Sequence, residues 1–246
     1  MLIRERTDGM KRILNIIVNL IILSAVIALI LGGILLYRGY SLYKEKIEYK
    51  SVSAVAGEIR SDPNFVPISE LPDFYLKAVI SVEDKSFYKH KGISVKGIAR
   101  ALFYNLKNGS AEQGGSTINQ QLAKNELFTQ EKTLERKVAE IFAAFEFEKE
   151  LSKDEILELY VNSICFGGGR FGIGSAAKGI YGKEPLELTE WECAVLAGIP
   201  QSPAYYSSNP DAAEKRGKDV LLGMLYQGEI TDEEFKIYIY DLDTKH

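Results

Sequence analysis

The sequence is poor in cysteine, with only Cys165 and Cys193 among 246 residues. Two cysteines cannot build a framework of several disulfides, and they do not show the paired spacing of a zinc site. We expect both to be small buried apolar side chains rather than a bridge. The chain also lacks an excess of positive charge, since 30 Lys and Arg stand against 34 Asp and Glu. Without a basic stripe interleaved with aromatic residues, nucleic-acid binding is not expected.

Charged residues are absent from the stretch between Arg12 and Arg38. A helix over residues 13–37 would be about 37 Å long, enough to cross a hydrocarbon core of about 30 Å with some tilt. A cleavable signal peptide is the alternative, but its apolar region would be about 7–15 residues long and would end in a small-x-small site. We therefore predict an uncleaved transmembrane helix over residues 13–37.

The charges around this helix predict its orientation. Residues 1–12 should lie in the cytoplasm under the positive-inside rule, because the short N-terminal side carries Arg4, Arg6, Lys11 and Arg12. Residues 38–57 then form a connector, and residues 58–246 form an extracytoplasmic domain. Two prolines interrupt the stretch from Ser41 to Ile68, which predicts extended pieces there.

Sustained alternation of apolar and polar residues is missing too, so a large sheet is not expected. Helix starts are instead marked by capping boxes, in which a Ser or Thr precedes a Glu by three positions. These pairs are Ser152 with Glu155, Thr189 with Glu192, and Thr231 with Glu234. The fold class predicted from these patterns is mostly α.

Two helices are predicted around the first candidate catalytic residue. One begins near Leu71-Pro-Asp73 and carries Glu83 near its end, where a carboxylate can face a cleft. The next has apolar residues at helical spacing between Ile93 and Leu106. Its apolar surface is broader than one core face needs, which leaves two interpretations open: a core helix, or a helix that dips into the bilayer.

A glycine pair precedes the next helix. Ser116 or Thr117 can cap that helix, which carries Gln120, Gln121 and Lys124. A helix N-terminus with free backbone N–H groups can receive an anion.

The clearest amphipathic helix is predicted over residues 132–151. Its apolar stripe, expected to face the core, consists of Leu134, Val138, Ile141 and Phe145. Lys132, Arg136 and Glu140 fall on the opposite side. That side is either a solvated face with an ordinary i,i+4 ion pair, or a cleft wall, for which Ala143 and Ala144 would leave room.

This inventory suits transfer from a glycosyl pyrophosphate. Such a leaving group is already anionic, so it needs cations or a metal rather than a general acid. The attacking hydroxyl needs one general base, for which Glu83 is the candidate. Lys124, Lys132 and Arg136 are candidate cations, and Glu140 could orient them or help to hold Mg²⁺. A glycosidase would instead need both carboxylates as an acid–base pair.

Five ordered motifs between about residues 58 and 210 closely resemble those of the peptidoglycan glycosyltransferases, the glycan-polymerising domain of class A penicillin-binding proteins and its stand-alone monofunctional form. The motifs are Glu83-Asp-x-x-Phe87-x-x-His90-x-Gly92, Gly115-Ser-Thr-Ile-x-Gln120-Gln121-x-x-Lys124-Asn125, Arg136-Lys137-x-x-Glu140 with Glu148, Glu155-Ile-Leu-Glu158-x-Tyr160-x-Asn162, and Ala176-Ala177 with Gly182-Lys183. The departures from the family pattern, such as Val161 and Cys165, concern packing more than the reaction.

The resemblance implies a lysozyme-like α domain with a small membrane-facing jaw near Ile93 to Ser110. It implies that lipid II is polymerised into β-1,4-linked glycan, with inversion and release of undecaprenyl pyrophosphate. Glu83 and Glu140 would be catalytic, and Glu140 would also be the metal ligand for Mg²⁺ or Mn²⁺. The residues expected to bind substrate are Ser116, Thr117, Gln120, Gln121, Lys124, Lys132, Arg136, Lys137 and Asn162.

The implied partners are lipid II, the growing glycan, the membrane, and other cell-wall synthesis and division proteins. The implied location is the bacterial cell membrane, crossed once. Nothing after Pro210 offers a Ser-x-x-Lys nucleophile, so transpeptidase activity is not expected.

Two alternatives stay open. A lytic transglycosylase or muramidase would need no pyrophosphate cations and would attack finished glycan. A non-catalytic tether would not need Glu83, Lys124 and Glu140 intact.

Overall fold

A computed structural model describes residues 2–109, 114–129 and 131–243, without the side chains of residues 2–13 and 240–243. The predicted basic cluster before residue 13, part of the glycine loop and the end of the predicted jaw at Ser110 therefore lie outside the described side chains. The chain is built from helices, and its strands are confined to one short hairpin within those ranges. The predicted fold class, mostly α behind one apolar N-terminal helix, is confirmed.

The helices and strands are numbered in the order of the chain. They are α1 (Leu2–Tyr49), α2 (Val52–Arg60), α3 (Asp73–Glu83), α4 (Val95–Asn108), α5 (Ile118–Leu127), α6 (Leu134–Glu150), α7 (Lys153–Ser163), β1 (Cys165–Gly167), β2 (Arg170–Phe171), α8 (Ile173–Tyr181), α9 (Glu190–Gly198), α10 (Pro203–Ser208), α11 (Pro210–Gln227) and α12 (Asp232–Asp243). Short 3-10 turns lie at Ile68–Glu70, Phe87–Lys89, Pro185–Glu187 and Ile199–Gln201.

The N-terminal helix is longer than predicted. Within the described part of the chain, α1 alone is long and apolar enough to cross a membrane. It continues without a break to Tyr49, and α2 follows after two residues. The extended pieces predicted for Ser41 to Ile68 are therefore wrong over most of that stretch. The reason is tertiary, since α1 beyond Arg38 packs along α6 and gains contacts that the local sequence does not reveal.

Two helices, α5 and α9, lie at the centre of the packing. Helix α5 packs against α6 and α7, while α3 packs against α9 and α11. The three predicted capping boxes all form, and Thr117 with Gln120 forms a fourth at the start of α5. The two cysteines are free; Cys193 is buried and Cys165 is half-buried.

Helix α4 does not behave as a core helix. Only Gly97 and Ala101 are buried along its length. Its large apolar side chains face outward, with Phe103 at 71% and Leu106 at 75% exposure. Of the two interpretations left open for this segment, the core helix is therefore wrong, and the dip into the bilayer stays a prediction.

The predicted core stripe of α6 is wrong. The side chains of α6 that are buried are Ala139, Glu140, Ala143, Ala144 and Phe147. Leu134 and Phe145 of the predicted stripe are exposed instead, and Val138 lies against α1. The helix α1 covers Val138 of this stripe. The face of α6 that packs into the domain is instead the one that carries Glu140.

Candidate active site

A cleft of about 600 Å³ runs between the C-terminal end of α3, the helices α5 and α6, and α11. Its lining is polar and rich in cations. The lining residues are Val82, Glu83, Lys85, Arg100, Gly114, Ser116, Gln120, Gln121, Lys124, Lys137, Glu140, Pro200, Gln201 and Arg216. An adjoining cavity of about 180 Å³ also contains Glu83 and reaches the first turn of α4. Glu83 therefore stands where the two spaces meet.

Glu83 is held by a short relay from the core. The side-chain amide of Gln121 on α5 donates to Oε2 of Glu83. The hydroxyl of the buried Tyr160 on α7 donates to Oε1 of Gln121 over 3.3 Å. Gln121 is thereby oriented with its N–H towards the carboxylate, so that it stabilises the ionised form of Glu83.

The pKa of Glu83 reflects a balance of opposing effects. Burial is the largest of them and raises the pKa above its ordinary value. The hydrogen bond from Gln121 and the charges of Arg216 and Lys124 lower the pKa, and the neighbouring Asp84 raises it. The net shift is upward. A carboxylate with a raised pKa is a stronger base than a solvated one, which suits proton abstraction near neutral pH.

Asp84 connects Glu83 to the start of α5. Its Oδ2 lies 2.7 Å from Nε2 of His90 and accepts the backbone N–H of Ile118 over 3.2 Å. Thr117 closes the same junction, because its hydroxyl donates to the carbonyl of Gly92 over 2.6 Å. Gly92 has φ +87°, and a Cβ there would lie 2.9 Å from the carbonyl oxygen of Ala144. The loop after Glu83 therefore requires glycine at this position.

Glu140 lies at the centre of a cation cluster on the opposite wall. Its side chain is 1% exposed, with Oε2 2.8 Å from Nζ of Lys137 and Oε1 3.0 Å from Nε of Arg136. The Arg136 contact is an ion pair without hydrogen-bond alignment. Lys137 also donates to Ser116 over 2.7 Å. The interpretation of this side of α6 as an ordinary solvated face is therefore excluded.

The structure does not support Glu140 as a metal ligand. Both of its carboxylate oxygens already face cations. Over the described ranges, no group of three or more His, Cys, Asp or Glu is placed to hold a metal ion. A divalent cation would have to displace Lys137 or Arg136 from a buried carboxylate, so these residues do not fit such a site.

The residues predicted to bind substrate form two groups, one that lies at the cleft and one that lies outside it. Ser116, Gln120, Gln121, Lys124 and Lys137 line the cleft together with Glu83 and Glu140. Two backbone N–H groups that were expected to receive an anion are already used, because Ile118 donates to Asp84 and Gln120 donates to the hydroxyl of Thr117. The side chain of Gln120 completes the cap of α5 by accepting from the N–H of Thr117.

Three predicted residues lie elsewhere. The side-chain amide of Asn162 accepts from the N–H of Val66 and donates to the carbonyls of Val66 and Glu158. These hydrogen bonds hold the backbone of Val66 in place. Lys132 is exposed just before α6. Arg136 lines a separate cavity of about 230 Å³, together with Leu42 and Lys46 of α1 and Thr133.

Three cations of the cleft were not predicted from the sequence, namely Lys85, Arg100 and Arg216. Lys85 stands two residues after Glu83, and its pKa is lowered by burial and by the nearby Arg100. Arg216 comes from α11, and its Nε is buried without a hydrogen-bond partner among the described residues. Lys85 could have been suspected from its position, whereas only the tertiary fold brings Arg100 and Arg216 to the cleft.

Comparison with known proteins places this geometry in a family. Residues 50–225 match the model of a family described as Transglycosylase. The chain is 45% identical to penicillin-binding protein 1A/1B of Bacillus subtilis over 189 residues, 76% of this chain and 20% of that protein. It is 38% identical to penicillin-binding protein 1A of Haemophilus influenzae over 230 residues, 91% of this chain and 27% of that protein.

The comparison with solved structures finds the crystal structure of penicillin-binding protein 1A from Haemophilus influenzae, with 22% identity, a TM-score of 0.42, and coverage of 71% of this chain and 17% of that one. The chain thus spans about a fifth to a quarter of the length of these relatives. Because the family model covers well over half of its residues, this chain belongs to the transglycosylase family.

Proposed function

We propose that this protein polymerises lipid II into β-1,4-linked peptidoglycan glycan at the membrane. The observation that carries the proposal is the charge pattern of the cleft. One half-buried carboxylate, Glu83, faces a space lined by five cations. One of the five, Lys137, is paired with Glu140, which Arg136 also neutralises, so the positive charge of the cleft rests on the other four. This arrangement supplies one base and a large positive field, which suits a hydroxyl nucleophile and a pyrophosphate leaving group.

In the proposed reaction, Glu83 accepts the proton of the 4-hydroxyl of the acceptor N-acetylglucosamine. The oxygen attacks the anomeric carbon of the growing chain's N-acetylmuramic acid. The bond from that carbon to the pyrophosphate oxygen breaks, undecaprenyl pyrophosphate leaves, and the configuration inverts. Gln121 holds Glu83 in place for the proton transfer, because the relay from Tyr160 fixes its amide.

The leaving group would be held by Lys124 in the cleft, with Lys132 and Arg136 towards the membrane side. Lys124 already acts on Glu83 electrostatically, so a negative charge beside it also lies near the base. Arg136 stands between Glu140 and the cavity against α1. That cavity, with Leu42 and Lys46 from the anchor helix, gives the lipid end of the donor a route towards the bilayer.

The divalent cation belongs with the substrate in this proposal. We expect Mg²⁺ or Mn²⁺ to bind to the pyrophosphate oxygens, because the residues around Glu140 do not fit a metal. Removal of the metal with EDTA should then raise the KM for lipid II. Equilibrium dialysis should detect no tight Mn²⁺ binding to the substrate-free protein; tight binding that Glu140→Gln abolishes would contradict this assignment.

We also propose that residues 1–12 are cytoplasmic and that the domain after α1 lies outside the membrane of a bacterial cell. The apolar α1 indicates a membrane-anchored protein. A cysteine placed at Thr7, in a Cys165→Ser background, should react with an impermeant maleimide only after the cells are permeabilised. Reaction in intact cells would contradict the orientation.

The experiment for the main proposal supplies full-length protein with lipid II and Mg²⁺ and resolves glycan chains on a gel. Polymer together with released undecaprenyl pyrophosphate is expected. Shortening of pre-formed glycan would indicate the lytic alternative, for which the cations of the cleft have no use. Absence of both reactions from folded protein, across detergents and bilayers, would indicate a tether.

A further inference from the structure

The anchor helix α1 approaches α6 closely at Gly39. This glycine is buried, and a Cβ built on it would lie 2.4 Å from Cγ1 of Val138 and 3.0 Å from the carbonyl oxygen of Glu135. Nonbonded carbon atoms do not approach so closely. The β-branched Val138 also has little rotamer freedom within α6, so it cannot turn away. Any side chain at position 39 would therefore push α1 away from α6.

Two residues after Gly39 extend the contact between α1 and α6, which we call the joint. The rings of Tyr40 and Tyr43 lie 5.2 Å and 5.8 Å from the ring of Phe142, in edge-on and stacked arrangements. The Tyr43 hydroxyl donates to Glu146 over 3.0 Å, and burial followed by that contact raises the pKa of Tyr43 to about 12. The joint therefore combines close backbone approach, aromatic packing and a partly buried hydrogen bond.

Helix α6 presents its two sides to different partners. Val138 and Phe142 face α1, whereas Lys137 and Glu140 face the cleft. Because an α-helix is stiff across one turn, a shift of α1 against α6 moves the cleft relative to the membrane-spanning part of α1.

Gly32 and Gly33, the other two glycines between residues 14 and 49 of α1, do not share this environment. A Cβ at Gly32 or Gly33 would meet nothing within 4 Å. Gly39 is thus distinguished by its contact with α6 and not by a general need for small residues along the anchor.

We propose that Gly39 is a positioning residue. Its missing side chain lets the anchor helix dock on α6, which fixes the height and tilt of the cleft above the bilayer. The inference rests on the proposed function, since it concerns access to a substrate whose lipid end stays in the membrane.

The test compares full-length Gly39→Leu with the matched Gly33→Leu, each with two substrates. Lipid II in liposomes requires the correct height, whereas a short-chain lipid II analogue in free solution does not. Gly39→Leu should lower kcat/KM for bilayer lipid II by about tenfold or more, because small misplacements of reacting groups are costly. Its activity on the soluble analogue should stay within about twofold of wild type, and Gly33→Leu should match wild type on both.

Two further measurements keep the proposal separate from folding and from the proposed function. Gly39→Ala adds only the Cβ that meets Val138 and the carbonyl of Glu135, so it should lower bilayer activity less than Gly39→Leu does. Energy transfer from the single tryptophan, Trp191, to dansyl-labelled lipids in nanodiscs reports the domain's height without any catalysis. Gly39→Leu should change this transfer, and Gly33→Leu should not.

Equal transfer in Gly39→Leu and wild type would overturn the proposal, as would unchanged activity on bilayer lipid II. Equal loss on both substrates would also overturn it, because Gly39 would then serve only folding. A wild type that is inactive on both substrates refutes the proposed function alone, since the energy-transfer comparison still tests the joint.

Discussion

Glu83 combines properties that a surface carboxylate does not have. Burial raises its pKa, and Gln121, Arg216 and Lys124 pull that pKa back down. The ionised base is therefore available near neutral pH while its basicity stays above that of a solvated glutamate. Removal of one opposing charge should shift the pKa in a known direction.

Arg216→Gln tests this balance. The positive charge of Arg216 favours the ionised form of Glu83, so the loss of that charge should raise the pKa of Glu83 further. The base must be deprotonated to act, and activity falls as pH drops through that pKa. The acidic limb of the kcat/KM profile should therefore move to higher pH in Arg216→Gln. An acidic limb at the wild-type position, or a shift to lower pH, would show that Arg216 does not act on the base.

Glu140→Gln tests the opposite wall of the cleft. The substitution leaves Arg136, only 13% exposed, without its carboxylate partner. We expect a loss of about 1–3 kcal/mol in the free energy of unfolding, because a largely buried charged donor loses its acceptor. Glycan synthesis should fall at the same time, since Lys137 loses the partner that aims it. Glu150→Gln, at the exposed end of the same helix, is the control and should stay within about 0.5 kcal/mol in denaturant unfolding. Unchanged stability and activity in Glu140→Gln would contradict the cluster.

At the scale of elements, the sequence predicts what local chemistry determines. The capping boxes at Ser152, Thr189 and Thr231 mark real helix starts, because each is completed within four residues. The helix that delivers Glu83 was predicted for the same kind of reason, with Pro72 and Asp73 at its beginning.

What local patterns could not predict depends on contacts between distant segments. The polar end of α1 is helical because α6 supports it. The apolar stripe on α6 resembles a core face in the sequence, because no local pattern shows that α1 packs beside α6. Arg216 reaches the cleft from 133 positions after Glu83, and no spacing rule links the two. Asn162 was assigned to substrate from its motif, yet it holds the backbone of Val66.

The exposed apolar face of α4 leads to a prediction at this scale. Leu102, Phe103 and Leu106 would be costly to leave in water, so we expect them to enter the bilayer surface beside α1. Phe103→Trp in nanodiscs with brominated lipids should show strong quenching of the added fluorescence. Leu186→Trp, at a similarly exposed position before α9, should show little. Equal quenching at both positions would refute insertion of α4.

The whole molecule joins a membrane helix to a charged cleft through one continuous element. At about 1.5 Å per residue, α1 is roughly 72 Å long, more than twice what a bilayer core requires. The part of α1 beyond Arg38 lies along α6, the helix that carries Glu140 and Lys137. The net charge is −4, so the positive field is local to the cleft and the molecule as a whole is acidic. This localisation fits an anionic substrate that is delivered from the membrane.

The most direct measurement is the rate of glycan polymerisation from lipid II by the full-length wild type, Glu83→Gln and Glu126→Gln. Glu126 is the matched control, because it is also a half-buried carboxylate whose pKa is raised by burial, yet it pairs with Lys50 outside the cleft. We predict polymer from the wild type and from Glu126→Gln, and a loss of about 10²–10⁴-fold in Glu83→Gln with the fold intact. Polymerisation by Glu83→Gln at the wild-type rate would contradict the assignment of the base and, with it, the account of this cleft.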